Sequence, residues 1–338
     1  MFRRVLVALA ALAAVAGCAV APRPAVDATP LVWPDPPDAA RIAWVQAIAR
    51  PEDFGIAKGF LERLGEILLG PRDARLIRPM AVAVAGQALF VADPGAGGVH
   101  RLDRAAARYD LVRLERDTPM RSPVGLAVGA QGEVYVTDSG AADVFVIRPG
   151  AKHAVRAGFA HMAQPTGIAF DAQRKLLYVV DTGADRVNVF EPDGRLRASF
   201  GQRGKGDGEF NRPTHVWCDS QGNVFVTDAL NYRVQVFGPD GRFRRQFGQA
   251  GDASGDFMRH KGVATDSHGH VYVVDGLLGQ LQIFDGQGRL LLALGSIGSD
   301  RGEFWLPAGV FVAADERIYV ADSFNSRVQV FRYVGGTP

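Results

Sequence analysis

The sequence predicts an all-β fold, a six-bladed β-propeller with four antiparallel strands in each blade. The first observation is a strand, tight turn and second strand between Ile318 and Phe331, with apolar residues at alternate positions. The second is that an aspartate ends the first strand of this unit six times along the chain. The third is the spacing of these aspartates, 45, 43, 47, 47 and 47 residues, a period typical of propeller blades. The aspartates are Asp93, Asp138, Asp181, Asp228, Asp275 and Asp322.

Composition agrees with one large β domain. The chain has 338 residues, of which 47% are hydrophobic, and its 40 glycines suit many short strands and tight turns. The formal net charge is only +2, so no long-range attraction for nucleic acid is implied. With two cysteines, Cys18 and Cys218, we expect no intramolecular disulfide. We expect a monomer that does not bind nucleic acid.

Residues 1–17 read as a signal peptide, with Arg3 and Arg4 before an apolar run too short to span a bilayer. The sequence Val15-Ala-Gly-Cys18 resembles the bacterial lipobox, which implies that Cys18 is lipidated and becomes the mature N-terminus. Ala19 is not the aspartate that usually signals inner-membrane retention in lipoproteins. The resemblance therefore implies a protein of the bacterial cell envelope, anchored by lipid in the outer membrane and facing the periplasm.

Residues 18–40 are rich in Pro and Ala and predict an extended tether. The propeller is expected over residues 41–334. The last repeat ends after its third strand, so the alternating segment 41–48 is predicted to supply the missing outer strand and close the last blade. Residues 56–69 break the β pattern with apolar residues at helical spacing, which predicts a short amphipathic helix inserted before the first blade.

The repeat also resembles a known family. Its pattern is Pro-x-Gly-Val-Ala, then Val-Tyr-Val-x-Asp, then Arg-Val-Gln-Val-Phe, and it resembles the NHL repeat over most of the chain. The third, fourth and sixth repeats match best, whereas the others lack the arginine five residues after the aspartate. This resemblance specifies the fold better than the function, because propellers carry many different sites.

Three aspartate–arginine pairs share one spacing. An aspartate that ends one strand and an arginine that begins the next are placed to bridge the turn between them. Because the spacing recurs in several blades, we interpret the pairs as structural. They are Asp181 with Arg186, Asp228 with Arg233, and Asp322 with Arg327.

Basic residues that depart from the repeat gather where the innermost strands begin, at one mouth of the central channel. Such a mouth would suit an anionic ligand, although ordinary variation of solvated rim residues is the alternative. His215 replaces a Gly or Ala of other repeats, and His260 replaces the usual proline. The candidate ligand-binding residues are Arg78, Arg121, Arg212, His215, Arg259, His260 and Lys261.

We predict neither a cofactor nor a metal site. His161, His215 and His260 could approach one another near the mouth, which leaves a metal ion as an alternative. The favoured function is non-catalytic, an envelope-anchored scaffold that binds a protein or glycan partner. The alternative implied by related propellers is a lactonase-like or amidating-lyase-like hydrolase or lyase with its site at the channel mouth. A flat mouth with an exposed apolar or charged patch favours binding, and a deep polar pocket favours catalysis.

Overall fold

A computed structural model of the protein describes residues 30–57 and 74–335. Within these ranges the regular structure is β-strand, interrupted by short 3₁₀ turns, which confirms the all-β prediction. No helix in the described ranges has the length and apolarity needed to cross a membrane. The predicted helix over 56–69 lies almost wholly on residues outside those ranges. The 3₁₀ turns are Pro51–Phe54, Glu115–Asp117, Ala229–Asn231 and Ser323–Asn325.

The strands are short and follow one another closely, as the alternation of β-branched and aromatic residues predicts. The first strands in chain order are β1 (Val32–Trp33), β2 (Ile42–Ile48), β3 (Ala81–Ala85), β4 (Ala88–Asp93), β5 (Gly98–Asp103), β6 (Arg108–Leu114), β7 (Pro123–Val128), β8 (Val134–Asp138), β9 (Asp143–Ile147), β10 (His153–Arg156), β11 (Pro165–Asp171) and β12 (Leu176–Asp181). The remaining strands are β13 (Arg186–Phe190), β14 (Leu196–Phe200), β15 (Pro213–Cys218), β16 (Val224–Asp228), β17 (Arg233–Phe237), β18 (Phe243–Phe247), β19 (His260–Thr265), β20 (Val271–Asp275), β21 (Gln280–Phe284), β22 (Leu290–Leu294), β23 (Val310–Val312), β24 (Arg317–Asp322) and β25 (Arg327–Tyr333).

Three sheets have four strands each, in the order β11 to β14, β15 to β18 and β19 to β22. Within each sheet every strand pairs antiparallel with the next strand in the chain. Short turns favour this arrangement, because antiparallel neighbours need only a hairpin connection. We call these three sheets modules three, four and five.

An eight-stranded sheet contains two further antiparallel groups, β3 to β6 and β7 to β10, which we call modules one and two. They are joined by a short parallel pairing of β10 with β6, in which His153 lies opposite Arg113. The sequence did not predict this link. It arises because β10 pairs through Val155 and Arg156 with β9 and through His153 and Ala154 with β6.

The last sheet has the order β1, β2, β25, β24, β23, and we call β2 with β23 to β25 module six. Strand β2 pairs antiparallel with β25, with Ile42 opposite Tyr333, which is the pairing predicted for residues 41–48. The sheet begins earlier than that prediction, since Val32 and Trp33 of the expected tether pair with β2. The Trp33 ring lies 5.7 Å from that of Phe331, so apolar packing explains why this part of the Pro-rich segment joins the sheet.

The hydrophobic core lies between neighbouring modules. Among the described residues, six buried clusters each combine side chains of two successive modules. In one of them, Val180 and Val187 of module three pack with Val226 of module four. The first strands touch in the order β3, β7, β11, β15, β19, β23, and β23 also touches β3. The order of contacts is therefore cyclic, with the first strands innermost.

Candidate functional site

Six buried aspartates mark one end of the modules. Each ends the second strand of its module, and each is 0% exposed. Their carboxylates accept hydrogen bonds from backbone N–H groups that lie just before the first strand of the same module. In module two, Arg121 and Ser122 donate to Asp138 at 2.8 Å. The turn after each aspartate thus lies beside the segment before each first strand, and we call the surface that they form the aspartate face.

The predicted aspartate–arginine pairs lie beneath this face. Arg233 donates to Asp228 at 2.8 Å and Arg327 donates to Asp322 at 2.7 Å, whereas Arg186 lies 3.9 Å from Asp181. Arg233 also donates to the carbonyls of Gly206 and Glu209 in the preceding glycine-rich loop. These bonds fix the turn and the loop together. This geometry indicates that the two close pairs, Asp228 with Arg233 and Asp322 with Arg327, have a structural role.

The four predicted arginines Arg78, Arg121, Arg212 and Arg259 are exposed on the aspartate face. Arg212 reaches from module four to module three, where its guanidinium donates to Gln164 at 2.8 Å. Within the described residues none of the four forms a salt bridge with a carboxylate. The rim of this face is therefore basic, and ligand binding by these arginines stays a prediction.

His260, another predicted ligand residue, is fully buried. Its ring stacks on Phe257 with 4.4 Å between centroids, and its Nε2 lies 2.8 Å from the carbonyl oxygen of Arg233. Burial lowers the pKa of His260 to about 4. The side chain is therefore a neutral core residue and takes no part in the surface of the face.

His215 and Lys261 lie on the first strands of modules four and five. Both ring nitrogens of His215 are buried and have no hydrogen-bond partner among the described residues. Burial, helped by the charge of Lys261, lowers the pKa of His215 to about 3. Burial and the nearby Arg259 lower the pKa of Lys261 to about 8. The neutral imidazole therefore has both its donor and its acceptor unsatisfied.

Aromatic side chains occupy the first strands further from the aspartate face. Trp217 meets Phe311 edge to face, with 5.6 Å between the ring centroids. The Trp217 Nε1 donates to Thr265 at 2.9 Å. Because these residues belong to modules four, five and six, the contact links three first strands. The innermost surface is thus polar near the aspartate face and aromatic away from it.

A second set of residues on the aspartate face is apolar, and every member is at least 42% exposed. The rings of Trp305 and Phe324 lie 5.9 Å apart, and the Phe324 N–H donates to the Trp305 carbonyl at 3.1 Å. The Ser326 hydroxyl donates to the carbonyl of Ile77 at 2.7 Å, which places Ile77 beside the same turn. We call this set the apolar arc. It consists of Ile77, Leu230, Met258, Leu277, Trp305 and Phe324.

Three of the six members of the apolar arc follow from a difference in the turns after the aspartates. In modules one to three the second residue after the aspartate is glycine, and a Cβ at Gly183 would stand only 2.8 Å from that of Ala163. In modules four and six a 3₁₀ turn follows the aspartate instead, and its middle residue is exposed. The two sets are Gly95, Gly140 and Gly183 on one side, and Leu230, Leu277 and Phe324 on the other.

Comparison with known protein families shows which family the chain belongs to. Residues 80–251, just over half of it, match the family described as SMP-30/Gluconolactonase/LRE-like region. The chain belongs to this family. Residues 304–331 match the NHL repeat, so the NHL resemblance is confirmed for the last repeat.

Solved structures similar to this SMP-30/gluconolactonase-like chain share its fold. A Bacteroides thetaiotaomicron structural genomics protein of unknown function superposes with a TM-score of 0.64 at 16% identity, covering 86% of this chain and 75% of that one. An auxiliary nutrient binding protein from the same organism superposes with a TM-score of 0.62 at 12% identity, covering 78% of this chain and 71% of that one. Virginiamycin B lyase from Staphylococcus aureus superposes with a TM-score of 0.56 at 14% identity, covering 76% of this chain and 95% of that one. The likenesses establish a β-propeller fold.

A match among curated proteins is local. Protein brain tumor of Drosophila melanogaster is 33% identical over 66 residues, which is 19% of this chain and 6% of the fly protein. The chain thus spans a small part of the length of this relative.

For this SMP-30/gluconolactonase-like propeller, the sequence pattern singled out the rim arginines, His215 and Lys261 as candidates, and it did not single out the apolar arc. A signal was present in Leu230, Leu277 and Phe324, since large apolar residues there replace the glycines of the earlier modules. Turn positions are usually small or polar, so three large apolar side chains at one turn position indicate a surface.

Proposed function

We propose that the protein is a six-bladed β-propeller that acts as a binding module, and that the apolar arc on its aspartate face docks a protein partner. The single observation that carries this proposal is the gathering of six exposed apolar side chains on one face. Exposed apolar surface rimmed by polar residues marks an interaction site, and within this set the rings of Trp305 and Phe324 lie 5.9 Å apart.

The blade count rests on the modules. Five sheets contain six antiparallel four-strand groups, if the eight-stranded sheet is read as two blades joined at an outer edge. The cyclic contacts of the first strands, from β3 through β23 and back to β3, support closure. Pairing of β2 with β25 would then close the last blade with the N-terminal strand.

The composition of the face favours a protein over a glycan. Aromatic residues, Met and Arg are enriched at protein interfaces, and the arc combines Trp305, Phe324 and Met258 with the arginine rim. A glycan would need free polar groups close to the rings. The side-chain amide of Asn325, beside Phe324, already donates to the Gly298 carbonyl and to Asp322.

We also propose that the module is held in the bacterial cell envelope, at the outer membrane, through lipidated Cys18. The support is the sequence Val15-Ala-Gly-Cys18 after a basic and apolar leader. Replacing Cys18 with alanine should move the protein from the membrane fraction to the soluble fraction. Unchanged retention in the membrane would refute the anchor and leave the docking proposal standing.

Docking is tested by comparative capture. The immobilised chain is exposed to a solubilised envelope extract of the source organism, alongside the Leu277→Ser/Phe324→Ser variant and a Leu196→Ser control. Leu196 is 50% exposed but lies on the outer strand β14, so it matches the change in chemistry away from the face. The parent chain and the Leu196→Ser control should capture the same partner, and the Leu277→Ser/Phe324→Ser variant should lose it. Each truncated anchor is expected to cost about 2 kcal/mol, or about thirtyfold in Kd. Equal capture by all three chains would contradict the proposal.

A second candidate function is catalysis near the first strands. It is favoured by the unpartnered, neutral His215 beside Lys261, in a chain whose family description names gluconolactonase. The test is lactone hydrolysis by the purified protein, with His215→Ala compared with the parent. Loss of a general acid–base group should lower turnover by about 100-fold or more. A parent protein with no turnover above buffer would eliminate this candidate.

A further inference from the structure

The turn between β19 and β20 brings a carboxylate and two imidazoles together, away from the aspartate face. One ligand atom from each of Asp266, His268 and His270 lies within 4.8 Å of the other two. The His270 Nδ1 is 2.6 Å from Asp266 Oδ2, and the His268 Nδ1 is 3.9 Å from the same oxygen. Asp266 is buried, His268 is exposed and His270 is half-buried. The cluster is therefore reachable from solvent.

A fourth group arrives from the neighbouring module. Glu316, in the turn before β24, has its Oε2 3.9 Å from the His268 Nδ1. This oxygen is buried and has no hydrogen-bond partner among the described residues, although the Oε1 of the same side chain accepts a bond from Ser267 at 2.6 Å. A buried carboxylate oxygen without a partner is costly, which indicates that it is positioned for a cation.

The surroundings hold these groups in place. The Tyr272 hydroxyl donates to Asp266 Oδ2 at 2.9 Å, and the ring of Tyr333 lies 5.1 Å from each histidine ring. Hydrogen-bonding and packing neighbours of this kind orient ligands in metal sites. Tyr333 belongs to β25, so the cluster lies where modules five and six meet.

The donor set selects the metal. Two imidazole nitrogens and two carboxylate oxygens suit zinc or a similar divalent transition metal better than magnesium or calcium, which prefer oxygen donors alone. Zinc bonds of about 2.0–2.2 Å place neighbouring tetrahedral ligands about 3.4 Å apart. The 3.9 Å separations from the His268 Nδ1 to Asp266 and to Glu316 are about 0.5 Å longer than this spacing. Binding would replace the hydrogen bond between Asp266 and His270.

We infer that Asp266, His268, His270 and Glu316 form a zinc-class metal site that bridges modules five and six. The site does not depend on the docking function. A metal bound only by the folded chain stabilises it by mass action, by about 2.7 kcal/mol when the free metal is at 100 times its Kd.

The test is calorimetric titration of the chelator-treated, dialysed full chain with zinc alone, paired with thermal melts. The parent should bind one zinc ion and melt at a higher temperature when zinc is present. The His268→Ala/His270→Ala variant should lose both effects. His153→Ala, which removes an exposed histidine on β10, should keep them. All these chains retain Cys18 and Cys218, so any binding by thiols is common to them.

Glu316→Gln is the second variant, because it removes one charge and leaves both histidines in place. Its zinc affinity should fall by about tenfold while its melting temperature without zinc stays close to that of the parent. Absence of zinc binding in the parent, or equal binding by the parent and the double histidine variant, would overturn the inference. Equal zinc affinity in Glu316→Gln would overturn the role of Glu316.

Discussion

Modules one to three and modules four to six share one architecture but present different surfaces. All six bury an aspartate that accepts backbone hydrogen bonds from the segment before the first strand. Two residues later the first three modules have glycine, and the last three have Leu230, Leu277 and Phe324. The repeated bonds thus fix the position of the turn, and the residue that follows decides what the turn presents to solvent. A scaffold and a site can vary separately in this way.

The largest expected effect contrasts the arginines of the two halves. Arg233 in module four is 8% exposed and pairs tightly with Asp228, whereas Arg186 in module three is 42% exposed and lies 3.9 Å from Asp181. Arg233→Ala leaves a buried carboxylate without its cation and should cost about 3–5 kcal/mol of unfolding free energy. Arg186→Ala should cost at most about 1 kcal/mol. Denaturant unfolding measures the loss of unfolding free energy in each variant, and equal losses would show that the two pairs do not differ in strength.

A swap of turn residues tests why the first half has glycine. A side chain at Gly183 would meet the Cβ atoms of Ala163 at 2.8 Å and Gln164 at 3.2 Å. Gly183→Leu should therefore destabilise the protein by about 1–3 kcal/mol through overpacking. The reciprocal Leu230→Gly removes an exposed side chain and should cost about 1 kcal/mol or less. If Gly183→Leu melts at the parent temperature, crowding does not explain the glycine.

A further contrast concerns the first strands, where His215 in module four replaces Gly167 of module three. With a pKa near 3 when folded and near 6.5 when unfolded, His215 favours the folded state above pH 6.5, and this contribution is lost as the pH falls toward 3. His215→Asn should make the decline in unfolding free energy between pH 6 and 4 shallower by about 1.4 kcal/mol per pH unit. His153→Asn is the exposed control. An identical slope in parent and His215→Asn would show that the imidazole is not held neutral.

The smallest effect is expected at the basic rim. Arg212→Ala/Arg259→Ala removes two exposed arginines of the second half, and Arg78→Ala/Arg121→Ala removes the two of the first half. Either change should leave the unfolding free energy within about 0.5 kcal/mol of the parent. If the rim binds anions near His215 and Lys261, only the first pair should weaken phosphate binding measured by calorimetry. Unchanged phosphate binding would remove the predicted anion site.

Much of the fold was predictable because its determinants are local and repeated. The period-two pattern and the recurring aspartates located the strands, and the missing fourth strand of the last repeat pointed to β2 as its partner. The link between β6 and β10 was not predictable, since it depends on two short segments of separate modules meeting at their edges. Val32 and Trp33 were hidden by the proline-rich composition around them.

The candidate site was less predictable, because burial is decided by tertiary packing. His260 and His215 both depart from the repeat, but His260 packs under Phe257 while His215 keeps unpartnered nitrogens near Lys261. Sequence position alone does not separate these outcomes. The pairing of Glu316 with His268 likewise joins turns of two modules, 48 residues apart in the chain.

The apolar arc, which lies mainly on modules four to six with Ile77 of module one at its end, is the proposed docking surface for a protein. Backbone hydrogen–deuterium exchange of the chain, with and without its captured partner, tests this most directly. If the apolar arc docks a protein, we expect slower exchange in the turns at 228–232, 275–279 and 322–326, and no change in the glycine turns at 138–142 and 181–185, which lie away from Ile77. Protection confined to the glycine turns, or to the outer strands, would contradict it.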